Sequence, residues 1–163
     1  MRFLALTALL LGVAHAAAAR PSVVVTFAPY ASVVRDVAAP DADVIQLVPS
    51  GANPHAFEPK PGDVRAVAGA ELVVLAGLGV DAWMDPLVKS SGTRARVLRI
   101  GERVPFTPIS SHADERGVEH ADGHADEGAT DPHVWLDASI MARAATLLGE
   151  ELAKADPARA AAY

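Results

Sequence analysis

Four short apolar runs rich in β-branched residues, at 22–27, 43–48, 71–76 and 96–100, alternate along the chain with segments whose apolar residues recur at helical spacing. Runs of this kind, with little polar alternation, suit strands covered on both faces. Helices are predicted over 28–39, where Val33, Val34 and Val37 share a face, and over 63–69. Asp81 is placed to cap a helix carrying Trp83, Met84, Leu87 and Val88. Asp137 is placed to cap a long helix over 138–155, in which Ile140, Met141, Ala144, Leu147, Leu148 and Leu152 form an apolar stripe. Asp156-Pro157 reads as the cap and first residue of one more helix. Strand and helix alternating with short connections predict an α/β fold: a lobe built on a parallel, doubly wound sheet with helices on both faces.

Ligands of such sheets bind beyond the carboxyl ends of the strands. The Pro- and Gly-dense loop 49–61 follows the second strand and carries His55, so it falls on that rim. His133 follows a long irregular stretch after the fourth strand and can reach the same rim. The two histidines have matched surroundings. Asn53-Pro54-His55 is followed by Phe57 and Glu58, and Asp131-Pro132-His133 by Trp135 and Asp137. Each preceding proline restricts the backbone, which lowers the entropy lost on binding. Imidazole is the commonest protein ligand of zinc and its neighbours. His55 and His133 are therefore the candidate metal ligands. Glu58 stands where it can accept the spare N–H of a ligating imidazole or tie the loop to backbone amides.

The charge balance adds a second feature. Residues 102–131 hold eight acidic and two basic side chains, which accounts for the whole net charge of −6. His112, His120 and His124 lie among those acids, and residues 110–130 are expected to form a mobile loop that captures metal weakly. No basic patch is left to hold a phosphate backbone, so nucleic acid is not an expected partner. The chain has no cysteine, which removes disulfides and thiolate metal sites. Arg2, the apolar run 3–14 and the alanines up to Ala19 read as a signal peptide over 1–19, too short for a comfortable membrane span. With no cysteine to carry a lipid, the expected product is periplasmic, exported by a cleavable signal and free of a lipid anchor. No His-Glu-x-x-His segment is present, so an enzyme is not expected.

Gly51-Ala-Asn-Pro-His55-Ala-Phe-Glu-Pro59, followed by Pro61-Gly-Asp63-Val64, resembles the first ligand segment of the zinc/manganese solute-binding proteins of ABC importers. The strand 70–77 and Asp81-Ala-Trp83 resemble the next strand and helix of that family, and Asp131-Pro-His133-Val-Trp135-Leu-Asp137 its second ligand segment. The acidic His-rich insertion between them is similar to that of the zinc-specific members. Asn53 stands where many members carry an acid. The resemblance covers roughly residues 22–163. It implies a receptor that delivers Zn²⁺, or alternatively Mn²⁺, to the membrane permease of an ABC importer, and a monomer is expected. It also implies two α/β lobes joined by a long helix, the second lobe supplying the third and fourth ligands. The expected organisation is then a signal peptide over 1–19, an N-terminal metal-binding lobe over 20–155 and the start of the linking helix over 156–163, with the second lobe absent. A metal buffer or chaperone that never docks on a transporter is the alternative reading, and a zinc-dependent hydrolase a weaker one.

Overall fold

The period-two alternation of strand side chains decides the layering. In β1 (Ser22–Val25), Val23 and Val25 face one way and Val24 the other; in β3 (Leu72–Leu75), Leu72 and Val74 oppose Val73 and Leu75. The computed structural model, which describes residues 19–38, 40–108 and 130–163, sorts these residues into two separate apolar clusters. The first set packs with Tyr30, Ala31, Val34 and Ala38 of α1 (Ala28–Ala38) and with Ile140, Ala144, Leu148 and Leu152 of α5 (Ala138–Ala155). The second packs with Val67 of α2 (Pro61–Ala68) and with Met84 and Leu87 of α3 (Met84–Ser91). Residues 23–25 and 72–74 are fully buried, as continuous apolar runs require.

With β2 (Asp43–Gln46) and β4 (Arg96–Arg99), these strands form one sheet in the order β2-β1-β3-β4, every pair parallel. The predicted doubly wound α/β lobe with helices on both faces is what forms. The connection from β1 leads to one side and the connection from β2 crosses to the other, so the topological switch point lies between β1 and β3. Among the described residues no helix is long and apolar enough to cross a membrane.

Three local expectations change. Ile100, read as the last residue of the fourth strand, instead opens the short helix α4 (Ile100–Arg103), its side chain fully buried. The chain turns there because Gly101 tucks against the exit of β3, its N–H donating to the Ala76 carbonyl at 2.8 Å. A Cβ at Gly101 would stand 2.6 Å from Leu78 Cγ. Helix α2 starts at Pro61, two residues earlier than predicted, because a proline suits the first helical turn and Asp63 accepts from the Lys60 N–H at 2.7 Å.

Asp81 does not cap α3, whose first residue is Met84. Its carboxylate, 2 % exposed, turns inward and accepts from the N–H groups of Ala76 and Gly77 at 2.6 and 3.0 Å. Those donors lie past the end of β3 and would otherwise be orphaned inside the protein. Burial pushes the carboxyl above its ordinary range while these two bonds pull it back. Asp137 does cap α5, accepting from Ser139 and Ile140 at 2.7 and 3.3 Å. After α5, Pro157–Arg159 makes a single 3₁₀ turn, and the Asp156 carboxylate receives Arg159 at 2.7 Å and the Tyr163 hydroxyl at 3.0 Å.

Candidate metal centre

Both histidines are set by the same backbone device. The Asn53 side-chain oxygen accepts from the His55 N–H at 2.9 Å, and the Asp131 carboxylate accepts from the His133 N–H at 2.9 Å. These are Asx turns, in which a short polar side chain mimics a backbone turn. A 3₁₀ turn accompanies each: Pro54–Ala56, which includes His55, and Val134–Leu136, directly after His133. The turns lie far apart in sequence, with β3 and β4 between them, yet the imidazole centroids are 5.6 Å apart, with ring planes inclined at 54°.

Aromatic side chains beyond the strand ends carry the two turns. Phe27, just past β1, meets Tyr30 edge-on at 5.5 Å and Trp135 at 4.9 Å, and Trp135 meets His133 at 5.0 Å. On the other side Phe57 lies 4.9 Å from Trp83. Both histidines stand on an exposed rim, with the His133 side chain 46 % accessible. The rim expected from the strand order is where they meet.

The two imidazoles are not equally fixed. The same Asp131 oxygen that takes the His133 N–H also lies 2.7 Å from His133 Nδ1. The His133 N–H first, and then the ring, hold the Asp131 carboxyl below the usual carboxylate range, so the group is an ionised, pure acceptor near neutral pH. Nδ1 therefore donates to the carboxylate, and in the neutral ring this tautomer leaves the Nε2 lone pair for a metal. A carboxylate behind a histidine is the arrangement that fixes the tautomer and raises basicity in metal sites. Asn53 sits in the corresponding place beside His55 with a neutral amide. The signal for Asp131 in the sequence is an acid two residues before a candidate ligand on an Asx-Pro-His turn.

Zinc–nitrogen bonds of about 2.0–2.1 Å place an imidazole centre about 3.2 Å from the ion, so two rings at the tetrahedral angle have centres about 5.2 Å apart. The observed 5.6 Å is compatible with one shared cation. Among the described residues, no group of three or more His, Cys, Asp or Glu side chains gathers to hold a metal. Among the described residues the pair thus offers two nitrogen donors to such a cation. Glu58, expected behind a ligand, is exposed in the same loop as His55, and the carboxylate seen against an imidazole is that of Asp131. Next to His133 opens a cleft of about 750 Å³, bounded by Phe106, Val134, Ile140 and Arg143 and by Leu136, which is 79 % exposed. His112, His120 and His124, and residues 1–18 of the expected signal peptide 1–19, lie outside the described residues.

Comparison with known proteins is consistent with this geometry. The family model described as "Zinc-uptake complex component A periplasmic" (ZnuA) matches residues 23–163. The manganese-binding lipoprotein MntA of Halalkalibacterium halodurans is 28 % identical over 141 residues, covering 86 % of this chain and 42 % of its own length. The SBP FpvC of Pseudomonas aeruginosa, solved in complex with Mn²⁺, superposes with a TM-score of 0.71 at 30 % identity, covering 89 % of this chain and 48 % of that one. A zinc-bound ZnuA deletion mutant superposes at 0.74 and 26 % identity, covering 89 % and 50 %. The chain thus spans less than half the length of the curated relatives it matches.

These relatives correct one expectation. The proteins from Halalkalibacterium, Lactococcus and several streptococci are lipoproteins, which contradicts an exported product free of any lipid anchor. The physical reason is plain. An apolar leader serves anchored and soluble exports alike, and the absence of cysteine from these 163 residues removes one attachment chemistry rather than membrane association as such. The parallel α/β lobe, the ordered ligand-like segments and the match across residues 23–163 lead to one conclusion: the chain belongs to the ZnuA family of periplasmic zinc-uptake components.

Proposed function

We propose that this chain is the metal-capturing lobe of a receptor serving an ABC importer, and that His55 and His133 together grip one divalent transition-metal cation. The observation that carries the reading is the 5.6 Å approach of two imidazoles on matched Asx turns at the carboxyl rim of the sheet. No bond is made or broken in this function. The protein supplies preset donors, and the cation is cargo.

Zinc is the preferred cargo and manganese the alternative. Two neutral nitrogen donors suit zinc, whereas manganese favours carboxylate, carbonyl and water oxygens. The relatives' own names include both zinc-bound and manganese-binding proteins, which supports the class of cation. His112, His120 and His124 form a weak capture segment that raises the local metal concentration. Glu58 helps hold the His55 loop. The remaining ligands come from outside the described residues, and the docking partner is the membrane permease of the importer. A two-donor site on its own binds less tightly than a complete shell, which favours a metal buffer as the second reading. Restoration of growth in a zinc-limited importer mutant separates the two: a receptor restores it and a buffer does not.

The direct test is zinc titration against a chromophoric chelator. Wild type is expected to show one tight site, and His55→Ala and His133→Ala each to lose at least about a hundredfold in affinity, because each removes half the nitrogen donors. Deletion of residues 110–128 is expected to leave the tight site and lower total stoichiometry. Two histidine variants that bind as wild type would sink the proposal.

A further inference from the structure

The loop 49–60 that carries His55 is held mostly by bonds to itself. The Ala52 N–H donates to Pro49 at 3.0 Å, the Ala56 N–H to the Asn53 carbonyl at 3.4 Å and the His55 N–H to the Asn53 side-chain oxygen at 2.9 Å. Each of these spans four residues or fewer. One bond is of another kind: Trp83 Nε1–H donates to the Pro54 carbonyl at 2.7 Å, across 29 positions of sequence. Its acceptor is the residue immediately before His55.

Trp83 is well placed to act as a fixed point. It is the residue from which α3 starts, and its ring packs on Phe57, so the indole grips the loop on both sides of His55. Two residues earlier, the buried Asp81 carboxylate pins the turn leading to it by taking the Ala76 and Gly77 N–H groups. The chain passes from sheet to turn to indole to the Pro54 carbonyl, with a hydrogen bond or ring contact at each step. The contrast with the other imidazole sharpens the point. His133 has a carboxylate on its own Nδ1. Asn53 instead serves His55 through the backbone N–H. A histidine whose partner fixes the main chain rather than the ring depends on how firmly that main chain is held.

From this we infer that Trp83 is a positioning residue for His55: its indole N–H sets the loop so that the imidazole stands at bridging distance from His133. The inference rests on the two-imidazole reading above and adds the residue that presets the pair. Trp83 touches no cation. It acts through the peptide carbonyl, much as a supporting hydrogen bond behind a metal ligand does, and loss of such a partner typically lowers affinity about 10- to 100-fold.

The test compares zinc affinity, measured by chelator competition on the full 163-residue chain, across four proteins, with cobalt(II) absorption as a second readout. Trp83→Phe keeps a ring against Phe57 and removes the donor. Trp83→benzothienylalanine keeps the full indole shape without the N–H, and serves if the phenylalanine variant fails to fold. Leu87→Ala, in the helix that follows Trp83 and facing the core, is the control for general loosening. Both Trp83 variants are expected to bind zinc about tenfold more weakly and to alter the cobalt band shape, since the geometry of one nitrogen donor changes. Leu87→Ala is expected to melt earlier and bind as wild type once folded. Wild-type affinity and band shape in the benzothienyl variant would overturn the inference while leaving the two-imidazole site intact. A wild-type chain that binds no zinc overturns that site and this inference with it.

Discussion

Substituting Asp131 by asparagine tests how the centre is tuned, and the chain supplies its own control. Asp131 does two jobs with one oxygen: it accepts the His133 N–H at 2.9 Å and faces His133 Nδ1 at 2.7 Å. Asparagine can do the first, because Asn53 does so for His55 at the same 2.9 Å. Asp131→Asn therefore preserves the Asx turn and replaces a carboxylate behind the ring by a neutral amide oxygen. Hydrogen bonds to an ionised partner are roughly twice as strong as neutral ones, and removing the partner behind a metal-bound histidine costs about 10- to 100-fold in affinity. Asp131 is 44 % exposed, so water screens part of its field, and the expected loss lies at the lower end. A tenfold loss is about 1.4 kcal/mol. Asp131→Ala removes the turn bond as well and should fall further, toward the hundredfold end. The assay is zinc competition with a chromophoric chelator near neutral pH. Asp131→Asn binding as tightly as wild type would refute the claim that the carboxylate tunes His133.

Other outcomes follow from the same contacts. His120→Ala should change tight-site affinity by no more than about twofold, against at least a hundredfold for His133→Ala; comparable losses would move the site into the 110–130 segment. Zinc affinity should fall as the solution is made acidic, because protons compete with the metal for the imidazole nitrogens; a flat profile from neutral into the acid range in titration calorimetry would contradict histidine ligation. Glu151, whose side chain is 5 % exposed, is held below the ordinary value of 4.5 by Lys154 first and then by Arg96, against its burial. A depressed folded value contributes stability that is present above the ordinary value and is lost as pH falls through the folded one. Glu151→Gln should therefore flatten the acid limb of a melting-temperature profile, and an unchanged limb would count against the ion cluster. Leu148→Ala, at a fully buried site under the sheet, should lower unfolding stability by about 2–5 kcal/mol in urea titration.

Most of the layering was legible because it depends on local pattern. The fully buried Val23–Val25 and Leu72–Val74 are apolar without interruption, and the helical stripe from Ile140 to Leu152 has one consistent period. The matched Asx-Pro-His turns were legible for the same reason, since an Asx turn is closed by residues two apart. What was not legible lies in contacts that exist only once the strands have paired. Asp81 has the identity and place of a helix cap, and nothing local says that two N–H groups at the end of β3 will claim it first. Ile100 continues the strand pattern, and the close approach of Gly101 to Leu78 that turns the chain is a tertiary fact. Trp83 reads as a packing residue because its donor finds the Pro54 carbonyl only after the sheet has formed. Glu58 was the acid nearest His55 in sequence, but the carboxylate that reaches an imidazole is the one whose Asx turn aims it there.

X-ray absorption at the zinc edge, on the chain loaded with one equivalent of zinc, is the measurement closest to the central idea. Two imidazoles converging on one ion should give outer-shell scattering from two histidines and nitrogen distances of about 2.0–2.1 Å, and His55→Ala or His133→Ala should each remove one histidine from the spectrum. A spectrum with no imidazole scattering, or one that neither substitution alters, would mean that the rings meet at the sheet rim for some purpose other than holding a metal.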